Sequence, residues 1–153
     1  MPAVRLNDIV EALEIQVDEF SSFLDLDTGQ VESVSHDLLR DAEKSSHEEP
    51  DVPDWQKPEW EIAKRIASGG RFQKLPTKFD VHEWEIMRDF SRSVESDRVC
   101  EDLLNAIHGA GAFRNFKDAL WRHSIESAWF EFRTEALRQI ALDWCEENHI
   151  VWE

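Results

Sequence analysis

Apolar residues recur at helical spacing over most of the chain and alternate, as in strands, in two short stretches. Asp8 followed by Glu11 reads as a capping box, and Ile9, Val10, Leu13 and Val17 after it predict a first short helix. From Phe20 to Ser35 two alternating runs flank Asp27-Thr28-Gly29, the signature of a β-hairpin. A short helix is predicted over 36–46, then an acidic, Pro-containing loop over about 45–58. Pro58 opens the next helix, with Trp60, Ala63, Ile66 and Ala67 on one side and Gly69-Gly70 as its stop. Residues 71–76 alternate again and predict a third strand, placed at an edge by Pro76.

The C-terminal half, about 80–149, reads as helical throughout. Asp80 and Glu83 predict a cap before Trp84, Met87, Phe90 and Val94, and Asp97 a cap before Val99, Leu103, Leu104 and Ile107. Gly109-Ala110-Gly111 then makes a turn, after which Phe113, Phe116 and Leu120 mark a further helix with Phe113 and Phe116 docked inward. The strongest periodicity is the last, where Ile125, Trp129, Phe132, Ala136, Ile140 and Trp144 stay in register as the expected spine of the core. The fold class that follows is α+β: a mainly helical single domain over residues 1–153, with a small antiparallel sheet made of the N-terminal hairpin and one more short strand.

Composition sharpens this picture through charge. The chain has 33 acids against 17 Lys plus Arg, a net charge of −16, which argues against duplex DNA as a partner because phosphate contacts need basic residues. The imbalance lies in the first part: residues 1–61 hold 17 acids and 4 bases. A local cationic run, Lys64, Arg65, Arg71, Lys74 and Lys78 with no acid among them, is expected to pair with that acidic half. Two cysteines, Cys100 and Cys145, without CxxC spacing suit a reducing compartment and inert buried thiols, and no apolar run reaches a membrane span. A cytoplasmic protein without membrane contact is expected, with no cofactor or metal implied.

The chemistry concentrates at Gly109–Lys117. A glycine turn that opens a helix exposes unpaired N–H groups at the positive end of the dipole, and Arg114 and Lys117 add two cations there, a setting suited to phosphate or carboxylate. His123 and Arg133 are expected as neighbours, so the candidate ligand-binding set is Gly109, Gly111, Arg114, Lys117, His123 and Arg133. Neither a P-loop nor a dinucleotide fingerprint is present, and the six histidines form no metal spacing. Asp25 and Asp27 would share a strand face with Glu32 opposite, as a paired-carboxylate or divalent-metal site would need, but a solvated acidic face with Asp27 serving the turn is the favoured reading.

Phe23 to Val31, Gly109 to Lys117, Trp129-Phe130-Glu131-Phe132-Arg133 and Ala141-Leu142-Asp143-Trp144 together resemble the small bacterial proteins of uncharacterised protein family 0158. That family's hairpin is similar to FLDLETGEV and its turn to GRGAFRRFKD. This chain departs from the pattern at Ala110 and Asn115, where basic residues are frequent, which lowers the local charge. The resemblance implies a bacterial cytosolic setting and brings no activity with it. The expected role is a non-enzymatic binding or regulatory module, its acidic half meeting a basic protein partner and its glycine turn holding a phosphate-bearing or other anionic group. Two alternatives stand beside it: an enzyme acting on a phosphorylated or nucleotide substrate, with no complete catalytic motif to name its residues, and an RNA-binding protein using residues 64–78 and 114–122.

Overall fold

A computed structural model describes residues 2–15, 17–44 and 52–153. The chain divides into two compact units, Met1–Thr77 with Ala141–Glu153, and Lys78–Ile140. Among the described residues it is a mainly helical α+β protein with one three-stranded sheet.

In the first unit, helix α1 (Leu6–Glu14) buries Leu6, Ile9, Val10 and Leu13. It starts two residues before the expected cap, and Asp8 lies inside its first turn. The reason is a long-range contact. Val4 forms a parallel bridge with Trp152, in which Val4 N–H donates to Val151 O at 3.0 Å and Leu6 N–H to Glu153 O at 3.0 Å, so the helix entry is fixed without a side-chain cap. Asp8 still favours the positive end of the dipole.

Strands β1 (Phe20–Asp25) and β2 (Val31–Ser35) form the predicted hairpin, and β3 (Phe72–Lys74) pairs antiparallel with β1 on its other side, giving the order β2-β1-β3. The turn requires Gly29. Its φ is +76°, and a Cβ there would stand 2.9 Å from the Ala3 carbonyl oxygen. Helix α2 (His36–Lys44) and helix α3 (Lys57–Ala67) close over the hairpin, where Val34, Leu38, Ala42, Trp60 and Ala63 form a buried cluster with Ile66 and Ala67 against it. Of the expected acidic loop, residues 45–51 lie outside the described residues, while Asp54–Gln56 make a single 3-10 turn.

In the second unit, α4 (Lys78–Val81) is one short turn, and His82 at φ +52° separates it from α5 (Glu83–Ser93). The expected cap at Asp80 is thereby corrected: that residue lies within α4, and the main helix begins after the left-handed His82, with Glu83 and Glu85 in its first turn. Helix α6 (Asp97–Ala106) is likewise capped one residue earlier than expected, by Ser96, whose Oγ accepts from Val99 N–H at 3.4 Å. Helix α7 (Ala112–Arg122) follows the glycine turn, and α8 (Glu126–Glu147) carries the final periodic run. Phe90 holds this core together: its ring meets Phe132 and Trp129 at 5.4 Å and Phe116 at 6.3 Å, all edge-on. No helix among the described residues is long and apolar enough to cross a membrane.

Candidate functional site

Ile107 closes α6, Gly109 takes φ +88° and Gly111 φ +74°, so two left-handed glycines turn the chain into α7. Gly111 is the N-cap and offers no side chain, which leaves the first-turn N–H groups of α7 without a capping oxygen. Phe116, Ala119 and Leu120 bury the inner face of the helix. Its outer face carries Phe113, Lys117 and Trp121, each four residues from the next, with Arg114 beside them.

Phe113 was expected in the core, but it is exposed; it lies at the rim of the apolar arc, in the first turn, with the Lys117 ammonium 5.9 Å from its ring centroid. Arg114 is exposed and makes no hydrogen bond or ion pair among the described residues. Trp121 is 72% exposed, which makes this an aromatic and cationic surface on an otherwise acidic chain.

The other two candidate residues are engaged elsewhere. His123 Nε2 lies 2.7 Å from Asp102 Oδ2, and Arg122 Nη2 donates to the same oxygen at 3.0 Å. The His123 and Arg122 hydrogen bonds together hold the Asp102 carboxyl below its ordinary range, outweighing the opposing effect of burial. This clamp borders a shallow depression of about 270 Å³ between α6 and α7, which Asn105, Asn115 and Asp118 also line. Arg133 Nε donates to Glu83 Oε1 at 2.6 Å, tying α8 to the start of α5. Gly109 and Gly111 thus make the turn into α7, on whose exposed side Arg114 and Lys117 follow, whereas His123 pairs with Asp102 and Arg133 with Glu83.

The hairpin acids also have dedicated partners. Asp25, the last residue of β1, is 2% exposed; its Oδ1 accepts the Asp27 N–H at 2.9 Å and its Oδ2 accepts Arg65 Nη2 at 3.0 Å. Burial works to raise this carboxyl, but the Asp27 N–H and the Arg65 guanidinium outweigh it and hold the group below its ordinary value. Asp27 lies in the turn and pairs with Arg71 at 3.0 Å. Two cations of the 64–78 run are therefore matched to hairpin acids, as the charge pattern predicted. Among the described residues no three His, Cys, Asp or Glu side chains are grouped to hold a metal ion. Cys145 is buried, which pushes its thiol up to about 11.

The ion pairs of Asp102 and Glu83 had no local signal: Asp102's partners lie 20 and 21 residues away and Glu83's lies 50 away. Only the adjacency of Arg122 and His123 at a helix end hinted that one carboxylate could serve both.

Comparison with known proteins finds no matching solved structure. A relative, a UPF0158 protein of Pseudomonas aeruginosa strain PAO1, is 36% identical over 66 residues, a stretch spanning 42% of this chain and 43% of the relative. The signature of Uncharacterised protein family (UPF0158) matches residues 2–152, nearly the whole length described above, including the hairpin and the glycine turn. With that coverage, the chain belongs to UPF0158.

Proposed function

We propose that the chain is a non-enzymatic binding module of the bacterial cytoplasm, in which the Gly109–Lys117 turn holds an anionic group and the acidic N-terminal half meets a basic protein partner. The observation that carries this reading is that Arg114 and Lys117 stand exposed on the first turns of an uncapped helix, without a carboxylate on either. An anion there gains the free N–H groups, the dipole and two cations without first breaking an ion pair. His123 fixes α7 to α6 through Asp102, and Arg133 fixes α8 to α5 through Glu83.

The test is a titration of the labelled protein with inorganic phosphate and pyrophosphate, followed by amide NMR. The Ala112, Phe113 and Arg114 resonances are expected to shift saturably, and Arg114→Glu/Lys117→Glu to weaken the effect at least tenfold. An unchanged titration in the double variant overturns the anion site. Affinity purification from the host, with the double variant in parallel, tests the partner: a basic companion recovered by both forms supports the acidic half as its surface.

The 2.7 Å His123–Asp102 pair favours a second reading, an enzyme acting on a phosphorylated substrate. That reading asks one substrate to span from Arg114 to His123, on the order of 13 Å along the helix at about 1.5 Å per residue. The binding reading carries no such requirement.

A further inference from the structure

We propose that the cleft between α1 and β2 receives an extended, positively charged peptide segment, which adds to the sheet as a further strand beside β2. This rests on the reading that the acidic half meets a basic partner, and it names the surface and the mode.

In the order β2-β1-β3, β2 is an edge. Its pairing phase follows from two bonds, Asp25 N–H to Gln30 O at 2.9 Å and His36 N–H to Glu19 O at 2.9 Å. Even-numbered residues of β2 therefore direct their backbone groups to β1, and odd-numbered residues direct theirs outward. Ser35 agrees, since its outward N–H donates to Glu59 Oε1 at 2.8 Å. What remains is the N–H and C=O of Val31 and Ser33, an open piece of edge with no partner among the described residues. Unpaired strand edges are templates for another strand unless blocked by a charge, a proline or a covering element.

Here the edge is framed instead of blocked. Helix α1 stands opposite, and Asp8, Glu11 and Ile15 on the helix with Gln30–Ser33 on the strand line a cleft of about 550 Å³. A helix facing an open strand edge is the geometry in which extended peptides dock by strand addition: main-chain bonds supply affinity, and alternate side chains supply selectivity.

The lining selects the occupant. Asp8, Glu11 and Glu32 are its charged residues, and none of the lining residues is basic. Glu11 is held in place by Asn7 Nδ2 at 3.1 Å. Ile15 is 73% exposed and offers apolar surface at one end. An added strand sends successive side chains to opposite sides of the sheet, so Lys or Arg at the alternate positions on the α1 side meets Asp8 and Glu11, which share one helix face with Ile15. A nucleic acid is repelled by the same carboxylates, and a second copy of this chain would bring one acidic half against another.

The experiment uses the full chain and acetylated seven-residue peptides with Lys or Arg at alternate positions and Val or Leu between them. Amide exchange at Val31 and Ser33 is expected to slow at least tenfold at saturation. N-methylation of the peptide nitrogens facing β2 is expected to weaken binding at least tenfold, and methylation of the other alternate set to leave it unchanged. Asp8→Asn/Glu11→Gln should weaken binding and flatten its salt dependence. If both methylated sets bind like the parent and exchange at Val31 and Ser33 is unchanged, strand addition is overturned while charge-driven capture by the acidic half stands. If no peptide binds, the cleft is overturned, and the basic-partner reading is judged separately by the companion recovered in affinity purification.

Discussion

Asp25 shows how a buried carboxylate stays ionised: one oxygen closes the turn through the Asp27 N–H, and the other holds Arg65 on α3, 40 residues away. Replacing it with Asn leaves Arg65, whose side chain is 49% exposed, free to be solvated, so the cost is set by the lost bonds, about 1–3 kcal/mol. Asp25 and Asp102 are both held below the ordinary value of 3.8, so each adds stability above that pH and loses it as the pH falls through the lower folded value. The urea midpoint is therefore expected to be flat near neutrality and to drop below about pH 4, with a shallower drop in Asp25→Asn. At Gly29 two penalties coincide, a left-handed φ and the Ala3 carbonyl 2.9 Å from any Cβ. Gly29→Ala is expected to lose about 1–3 kcal/mol in the same measurement.

At the scale of elements, most helices and all three strands could be read from the chain, because the signal is local: alternation around Asp27-Thr28-Gly29, the stop at Gly69-Gly70, and the apolar period of the last helix. Of that helix's expected spine, Trp129 and Trp144 are buried, Phe132, Ala136 and Ile140 are half-buried, and Ile125 precedes the helix, while Leu137, Ala141 and Cys145 supply the rest of the buried face. The boundaries that moved were set by contacts absent from any local window. The start of α1 depends on Val151 and Glu153, and the break before α5 on a left-handed His82. At α6 two adjacent residues could each cap, and the hydroxyl of Ser96 took the role expected of Asp97. Ser96→Ala is expected to cost about 1 kcal/mol, near the middle of the range for such caps. Phe116, 1% exposed and edge-on to Phe90 and Trp129, is a harsher test: Phe116→Ala should cost about 3–5 kcal/mol by thermal or urea unfolding. The turn at Gly109–Gly111 was legible as a turn into a helix because its glycines sit close together in sequence; the pairing of His123 and Arg133 with distant acids was not, because ion pairs carry no period.

Over the whole molecule, the net charge of −16 acts against the compact state through self-repulsion. Exposed pairs such as Arg71–Asp27 contribute little and lose part of that in salt, so screening is expected to relieve more repulsion than it removes attraction. The urea midpoint should rise between low ionic strength and about 0.15 M salt, where the screening length is about 8 Å. The bridge between Val4 and Trp152 bears on a different matter, the timing of folding during synthesis. The unit that contains it is assembled from residues 1–77 and 141–153, with the segment 78–140 translated in between. Residues 78–140 carry their own aromatic core and can close around Phe90 as they leave the ribosome, whereas Val4 and Leu6 wait for Val151 and Glu153. A nascent chain arrested before residue 150 should therefore hold α1 with its entry N–H groups unsatisfied, and protease sensitivity there should vanish only once Val151 and Glu153 have emerged.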